Sequence, residues 1–107
     1  MDKFTIENLK SLCDDLDKVE ITQHAFLRLR ERGIFFYDIV NAIMNGEIIE
    51  QYPEDFPFPS CLVLGLSKKD TYLHTVCGIG NSKLWIITAY FPTIDKWEDD
   101  LKTRKVM

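Results

Sequence analysis

Apolar side chains recur at helical spacing over residues 6 to 16, where Ile6, Leu9, Leu12, Cys13 and Leu16 mark one face behind Thr5, a residue suited to an N-cap. Val19 to Ile21 allows a short strand. Thr22 predicts the cap of a second helix that ends at Gly33, and Ile39, Val40 and Ile43 predict the buried stripe of a third over residues 36 to 44, before Gly46. Beyond Gly46 the helical period gives way to β-branched and aromatic runs over 47–52, 60–66, 72–79 and 84–91. They are separated by PEDFPFP, SKKDT and GNSK, and the last two connections are short enough for hairpins. The closing IDKWEDDLKTRK predicts one or two helical turns that lay Trp97 over the sheet. Helices followed by a block of strands, with no repeat and no linker, predict one α+β domain over residues 1–107. Its N-terminal helices would pack on a four-stranded antiparallel sheet, with a short C-terminal helix.

The second helix carries the densest chemistry. In HAFLRLRERGI, residues 24 to 34, His24, Arg28 and Arg32 stand four residues apart and so project from one narrow face, leaving Ala25, Phe26 and Leu29 to look towards a core. A histidine moves a proton near neutral pH, and two guanidinium groups hold a phosphate or carboxylate in bidentate geometry. The plainer alternative is a solvated face whose arginines pair with local acids such as Glu31 or Asp38.

Composition narrows the classes. Hydrophobic residues at 46% and charged residues at 28% are ordinary for a globular domain, and Gly 5 with Pro 4 excludes a fibrous or disordered chain. A formal charge of -4 argues against a broadly electrostatic nucleic-acid binder, yet positive charge gathers locally in Arg28, Arg30 and Arg32 and again in Lys102, Arg104 and Lys105. The N-terminal MDKFTIENLK has neither an apolar signal core nor a transit-peptide composition, and no apolar run is long enough to span a membrane, so a cytosolic protein is expected. Cys13, Cys61 and Cys77 are odd in number and lack any C-x-x-C pair, which predicts buried thiols rather than a disulfide framework or a zinc site.

The chain has two histidines, His24 and His74. In YLHTVCGI, His74 shares a strand face with Tyr72 and Val76, as Thr88 does with Tyr90 in LWIITAYF. An odd connecting loop would place His74 opposite Thr88 and Tyr72 opposite Tyr90; an even loop would slip the pairing by one and separate His74 from Tyr90. No metal-ligand spacing, nucleophile elbow or phosphate-binding glycine loop is present. In PEDFPFPS, Phe56 and Phe58 either pin the loop over the sheet edge or offer a stacking surface for a base or partner.

With HAFLRLRERGI, GEIIEQYPEDFPFPSCLVLG, LHTV and ITAYFP followed by Trp97 in this order, the chain resembles a bacterial family catalogued as domain of unknown function 4258, over residues 19 to 105. That family is similar to the compact metal-independent ribonuclease toxins of the RelE, colicin and barnase type, and its members are often encoded beside a small zinc-ribbon antitoxin. The resemblance therefore implies an RNA substrate, no cofactor and a zinc-ribbon partner protein. Carried over by position, it implicates His24, Arg28, Arg32, Tyr52, His74, Thr88, Tyr90 and Trp97. Ribose 2′-hydroxyl attack on the adjacent phosphate would use His24 and His74 as acid and base with Tyr90, while Arg28 and Arg32 hold the phosphate and Tyr52, Thr88 and Trp97 complete the substrate site. The competing expectation is a non-catalytic protein-interaction module in which the same residues form a buried polar network and the face of the second helix binds a protein.

Overall fold

The computed structural model describes residues 5–106. Helix α1 spans Ile6–Cys13 with the Thr5 hydroxyl accepting from the Asn8 amide at its start. It stops short of the expected residue 16, because the Asp15 carboxylate captures the Asp17 amide and starts a separate 3₁₀ turn, Leu16–Lys18. Leu16 thereby turns outward instead of completing the buried stripe. Strand β1, Val19–Ile21, leads to α2, Gln23–Arg32, which Thr22 caps and Gly33 ends in the left-handed region at φ 69°. In α3, Phe36–Asn45, the Asp38 carboxylate accepts the Phe35 amide at the helix start and the Lys68 amide from across the fold. Asp38 is therefore buried as a cap and pairs with no arginine of α2.

Strands β2, Glu47–Tyr52, β3, Ser60–Leu66, β4, Tyr72–Gly80, and β5, Lys83–Tyr90, form the expected antiparallel meander. Two expectations need correction. The sheet has five strands in the order β1-β5-β4-β3-β2, with β1 parallel to β5, so it is mixed and not wholly antiparallel. The C-terminal helix is absent as well. Residues 97 to 104 fold back on themselves through a Trp97–Arg104 bridge, with the Asp100 carboxylate accepting the Lys102 and Thr103 amides and Leu101 at φ 58°. Asp100 thus offers the backbone a turn in competition with the helix.

The helices cover one sheet face. Leu9, Cys13, Leu29, Ile39 and Ile43 pack there on Cys61, Val63, Leu73, Cys77, Leu84 and Ile86. Gly65 lets α3 approach closely, since a methyl group there would come within 1.9 Å of the Ala42 carbonyl oxygen. Phe26, expected to face this core, lies half exposed with the Arg30 guanidinium 6.0 Å above its ring. All three cysteines are buried, and burial first, with Asp14 second, pushes the Cys13 thiol up to about 11.

Among the described residues the Thr75 hydroxyl is buried without a hydrogen-bond partner. Thr75→Val keeps the shape and removes the unmatched group, so it should stabilise the fold by about 1 kcal/mol, raising Tm by several degrees in a melting experiment. A lowered Tm would mean that the hydroxyl has a partner after all.

Candidate functional site

The opposite sheet face carries Leu62, Leu64, His74, Val76, Thr88 and Tyr90, and the segment after β5 closes over one end of it. The connection from β4 to β5 is a two-residue turn, Asn81–Ser82, with φ 54° and 60°. That even loop alone would set His74 opposite Ala89. A bulge intervenes, because Cys77 pairs with Ile86 while Val76 pairs with Thr88, leaving Ile87 as the extra residue. The slip brings His74 directly opposite Tyr90, on one face.

His74 is fully buried and held on three sides. Its Nε2 lies 2.7 Å from the Leu101 carbonyl oxygen, its Nδ1 lies 3.2 Å from the Tyr90 hydroxyl, and the Trp97 ring meets its own edge-on at 4.5 Å. A carbonyl only accepts, so in the neutral ring Nε2 carries the proton and Nδ1 accepts from the Tyr90 O–H. Burial pushes the His74 imidazole below its ordinary 6.5, against the opposing influence of the Leu101 carbonyl and Glu50. Burial likewise raises the Tyr90 phenol, Glu50 adding to the rise while Arg104 and Arg32 oppose it.

Such a histidine makes stability depend on pH. Because its pKa falls on folding, the unfolded chain binds the proton first as pH drops, so the stabilisation is complete above 6.5 and is lost progressively below it. Tm should hold steady from about pH 8 to about pH 7 and fall between about pH 6.5 and about pH 5. In His74→Gln, which carries no titrating ring, the fall over that window should shrink; an equal fall in both proteins would contradict the assignment.

Next to this pair lies an open cleft of about 410 Å³. Arg32, Lys96 and Arg104 line it with three cationic side chains, together with Tyr90, Trp97 and the Phe91–Thr93 segment, and no carboxylate is among its lining residues. Arg32 reaches it from the end of α2 by donating to the Ala89 carbonyl at 2.7 Å and the Thr88 hydroxyl at 3.3 Å. Arg104 crosses above the Trp97 ring at 4.7 Å and meets Glu50 through two hydrogen bonds of 2.9 and 3.0 Å. Glu50 also accepts from the Tyr52 hydroxyl. Burial raises the Glu50 carboxyl, but the bonds from Arg104 and Tyr52 prevail and leave it below the usual carboxylate range. Burial and the same carboxylate push the Tyr52 phenol up to about 12. A second ion pair, Lys102 with Glu47 at 3.1 Å, fastens the closing segment to β2.

The cleft thus gathers Arg32, Tyr90 and Trp97 of the expected residues, with His74, Thr88 and Tyr52 behind them as hydrogen-bond partners. His24 and Arg28 do not line it. Both are exposed on α2, and His24 lies eight residues before Arg32, about 12 Å along the helix. Lys96, Arg104 and Glu50 were missed as site residues, although Arg104 belongs to the basic cluster near the C-terminus and Glu50 to the GEII strand. Neither clue says that the segment folds back across the sheet.

Residues 21–91, well over half of the chain, match a family described as Domain of unknown function (DUF4258). The chain belongs to that family. The matched region holds the first helix-borne arginine row, the His74–Tyr90 pair and Glu50, but ends before Lys96, Trp97 and Arg104. No curated protein and no solved structure matches the chain. Among the described residues no helix is long and apolar enough to cross a membrane, and no group of three or more His, Cys, Asp or Glu side chains is placed to hold a metal ion.

Proposed function

We propose that this domain is a metal-independent RNA-cleaving toxin of a bacterial toxin–antitoxin pair, acting in the cytoplasm. The observation that carries the reading is the cleft that Arg32, Lys96 and Arg104 line together with Tyr90, whose phenol is tied to the buried His74. A phosphodiester places its negative charge where those cations converge, and the charge that develops on the phosphorus oxygens during 2′-hydroxyl attack is stabilised there. The 2′-oxygen bonds to phosphorus as its proton passes to a solvent water, and the bond to the 5′-oxygen breaks as that departing oxygen is protonated. A 2′,3′-cyclic phosphate and a 5′-hydroxyl result.

Tyr90 is the group placed to hand over that last proton. Its raised pKa keeps the phenol protonated, which suits an acid rather than a base. Neutral His74 accepts the phenolic hydrogen at Nδ1 and holds the Tyr90 oxygen at the cleft, so it is a positioning residue, and the O–H turns from Nδ1 to the departing oxygen when substrate is bound. Thr88 fixes Arg32, Trp97 supports Arg104, and Tyr52 acts on Arg104 through Glu50. His24 and Arg28, two turns and one turn of helix further from the cleft than Arg32, are assigned to the backbone of a longer RNA rather than to the reacting phosphate.

A zinc-ribbon antitoxin is the proposed partner. Induced expression should arrest bacterial growth, and co-expression of the neighbouring gene product should relieve the arrest. Arrest that persists in Tyr90→Phe and Arg32→Ala would favour the protein-interaction reading instead. That second reading draws on the hollow lined by Leu16, Tyr37, Val40 and Met44, of which Leu16, Tyr37 and Met44 are exposed.

A further inference from the structure

A second groove, of about 420 Å³, opens near the other end of the helix-free sheet face. Its walls are aromatic and aliphatic: Phe56, Phe58, Trp85 and Ile87, with Gly78 beneath. Phe58 is the phenylalanine that pins the loop, stacked on Trp85 with ring centroids 5.9 Å apart. Phe56 is 94% exposed and packs on nothing, although the loop that carries it is fastened at Ser60, whose hydroxyl donates to Asp55. Holding a phenyl ring in water on an anchored loop leaves a large apolar face without cover.

Two polar features decide what fits. Besides Thr22, whose hydroxyl oxygen accepts from the Ala25 amide, Asp55 and Asn81 stand among the lining residues, offering an acceptor and an amide, and no cation does. A phosphate would be repelled by the carboxylate, and an aliphatic side chain would offer the Asn81 amide no partner. A neutral, flat, hydrogen-bonding ring satisfies aromatic walls and polar rim together. The cationic cleft lies on the same sheet face at the far end of β5, five residues along the strand from Trp85 to Tyr90, or about 15 Å. One sheet face therefore presents positive charge at one end and an uncharged aromatic slot at the other. Single-stranded RNA alternates charged phosphates and neutral planar bases, which is the complement of that arrangement.

We propose that the Phe56–Trp85 groove is a nucleobase subsite, which holds an unpaired base of the RNA whose phosphate occupies the Arg32–Lys96–Arg104 cleft. The inference rests on the RNA reading of that cleft and assigns the second groove to the same ligand.

The test uses 2′-O-methyl RNA hexamers, which lack the attacking hydroxyl and so report binding alone, with the full chain and the variants Phe56→Ala and Arg32→Ala. Phe56→Ala touches an exposed ring and should melt like the wild type. Its affinity should be about ten-fold weaker, and a hexamer with one abasic position at the contacted base should bind wild type and Phe56→Ala alike. If Arg32→Ala weakens binding while Phe56→Ala leaves it unchanged, the groove is not a base subsite and the cleft reading stands. If the wild type binds no hexamer, both fall. If Phe56→Ala leaves RNA affinity unchanged but dissolves a dimer seen by sedimentation, a second copy of the chain occupies the groove and the proposal is overturned.

Discussion

Replacing Tyr90 by phenylalanine should lower single-turnover RNA cleavage by about two to four powers of ten, the usual contribution of a positioned proton donor. The variant keeps the ring that meets His74 at 5.2 Å and loses only the hydroxyl that reaches Nδ1 at 3.2 Å. Leaving that buried nitrogen unmatched costs about 1 to 3 kcal/mol, so a fall in Tm accompanies the loss of activity. Affinity separates the two effects. On the proposed reading, binding of 2′-O-methyl RNA would depend on Arg32, Lys96 and Arg104 rather than on the phenol, and it should stay within a few-fold of wild type in the folded variant. Cleavage within a few-fold of wild type would remove Tyr90 from the chemistry, whatever its effect on stability.

Trp97→Ala should have the largest effect on the fold. Trp97 is 3% exposed and sits at the centre of the closing segment, edge-on to His74 and beneath the Arg104 guanidinium. Deleting a buried indole costs about 3 to 5 kcal/mol, which in a domain of this size lowers Tm by more than about 10 °C. The ion pairs that fasten the same segment, Arg104 with Glu50 and Lys102 with Glu47, are largely exposed on the basic side and contribute far less. Thermal melting of Trp97→Ala beside Lys102→Ala checks this ranking. Equal and small losses would mean that the segment is held by its charges, and that the floor of the cleft is not the indole.

The helices and four of the strands were legible because long apolar periods with caps at Thr5, Thr22 and Gly33 leave few alternatives. The rest depended on contacts that no local pattern encodes. Val19–Ile21 is the short strand that the sequence allowed, but its three residues could not say that it would join the sheet parallel to β5. The pairing of His74 with Tyr90 turned on Ile87, one bulged residue that cancels the even turn at Asn81–Ser82. The closing IDKWEDDLKTRK predicts one or two helical turns, yet the Asp100 carboxylate and the left-handed Leu101 turn it back. That reversal puts Lys96 and Arg104 beside Arg32, across more than sixty residues of sequence. Spacing along α2 made Arg28 and His24 look equivalent to Arg32, because periodicity fixes a helix face but not where along the helix the sheet ends.

The central claim is that the cationic cleft cleaves RNA through its own side chains. Purified protein, free of any partner, is incubated with single-stranded RNA in excess EDTA, and the new ends are identified. Cleavage that leaves 2′,3′-cyclic phosphate or 3′-phosphate ends, and that disappears in Arg32→Ala, is the predicted result. Intact RNA in that assay, together with no cleavage of messenger RNA on translating ribosomes, would contradict it.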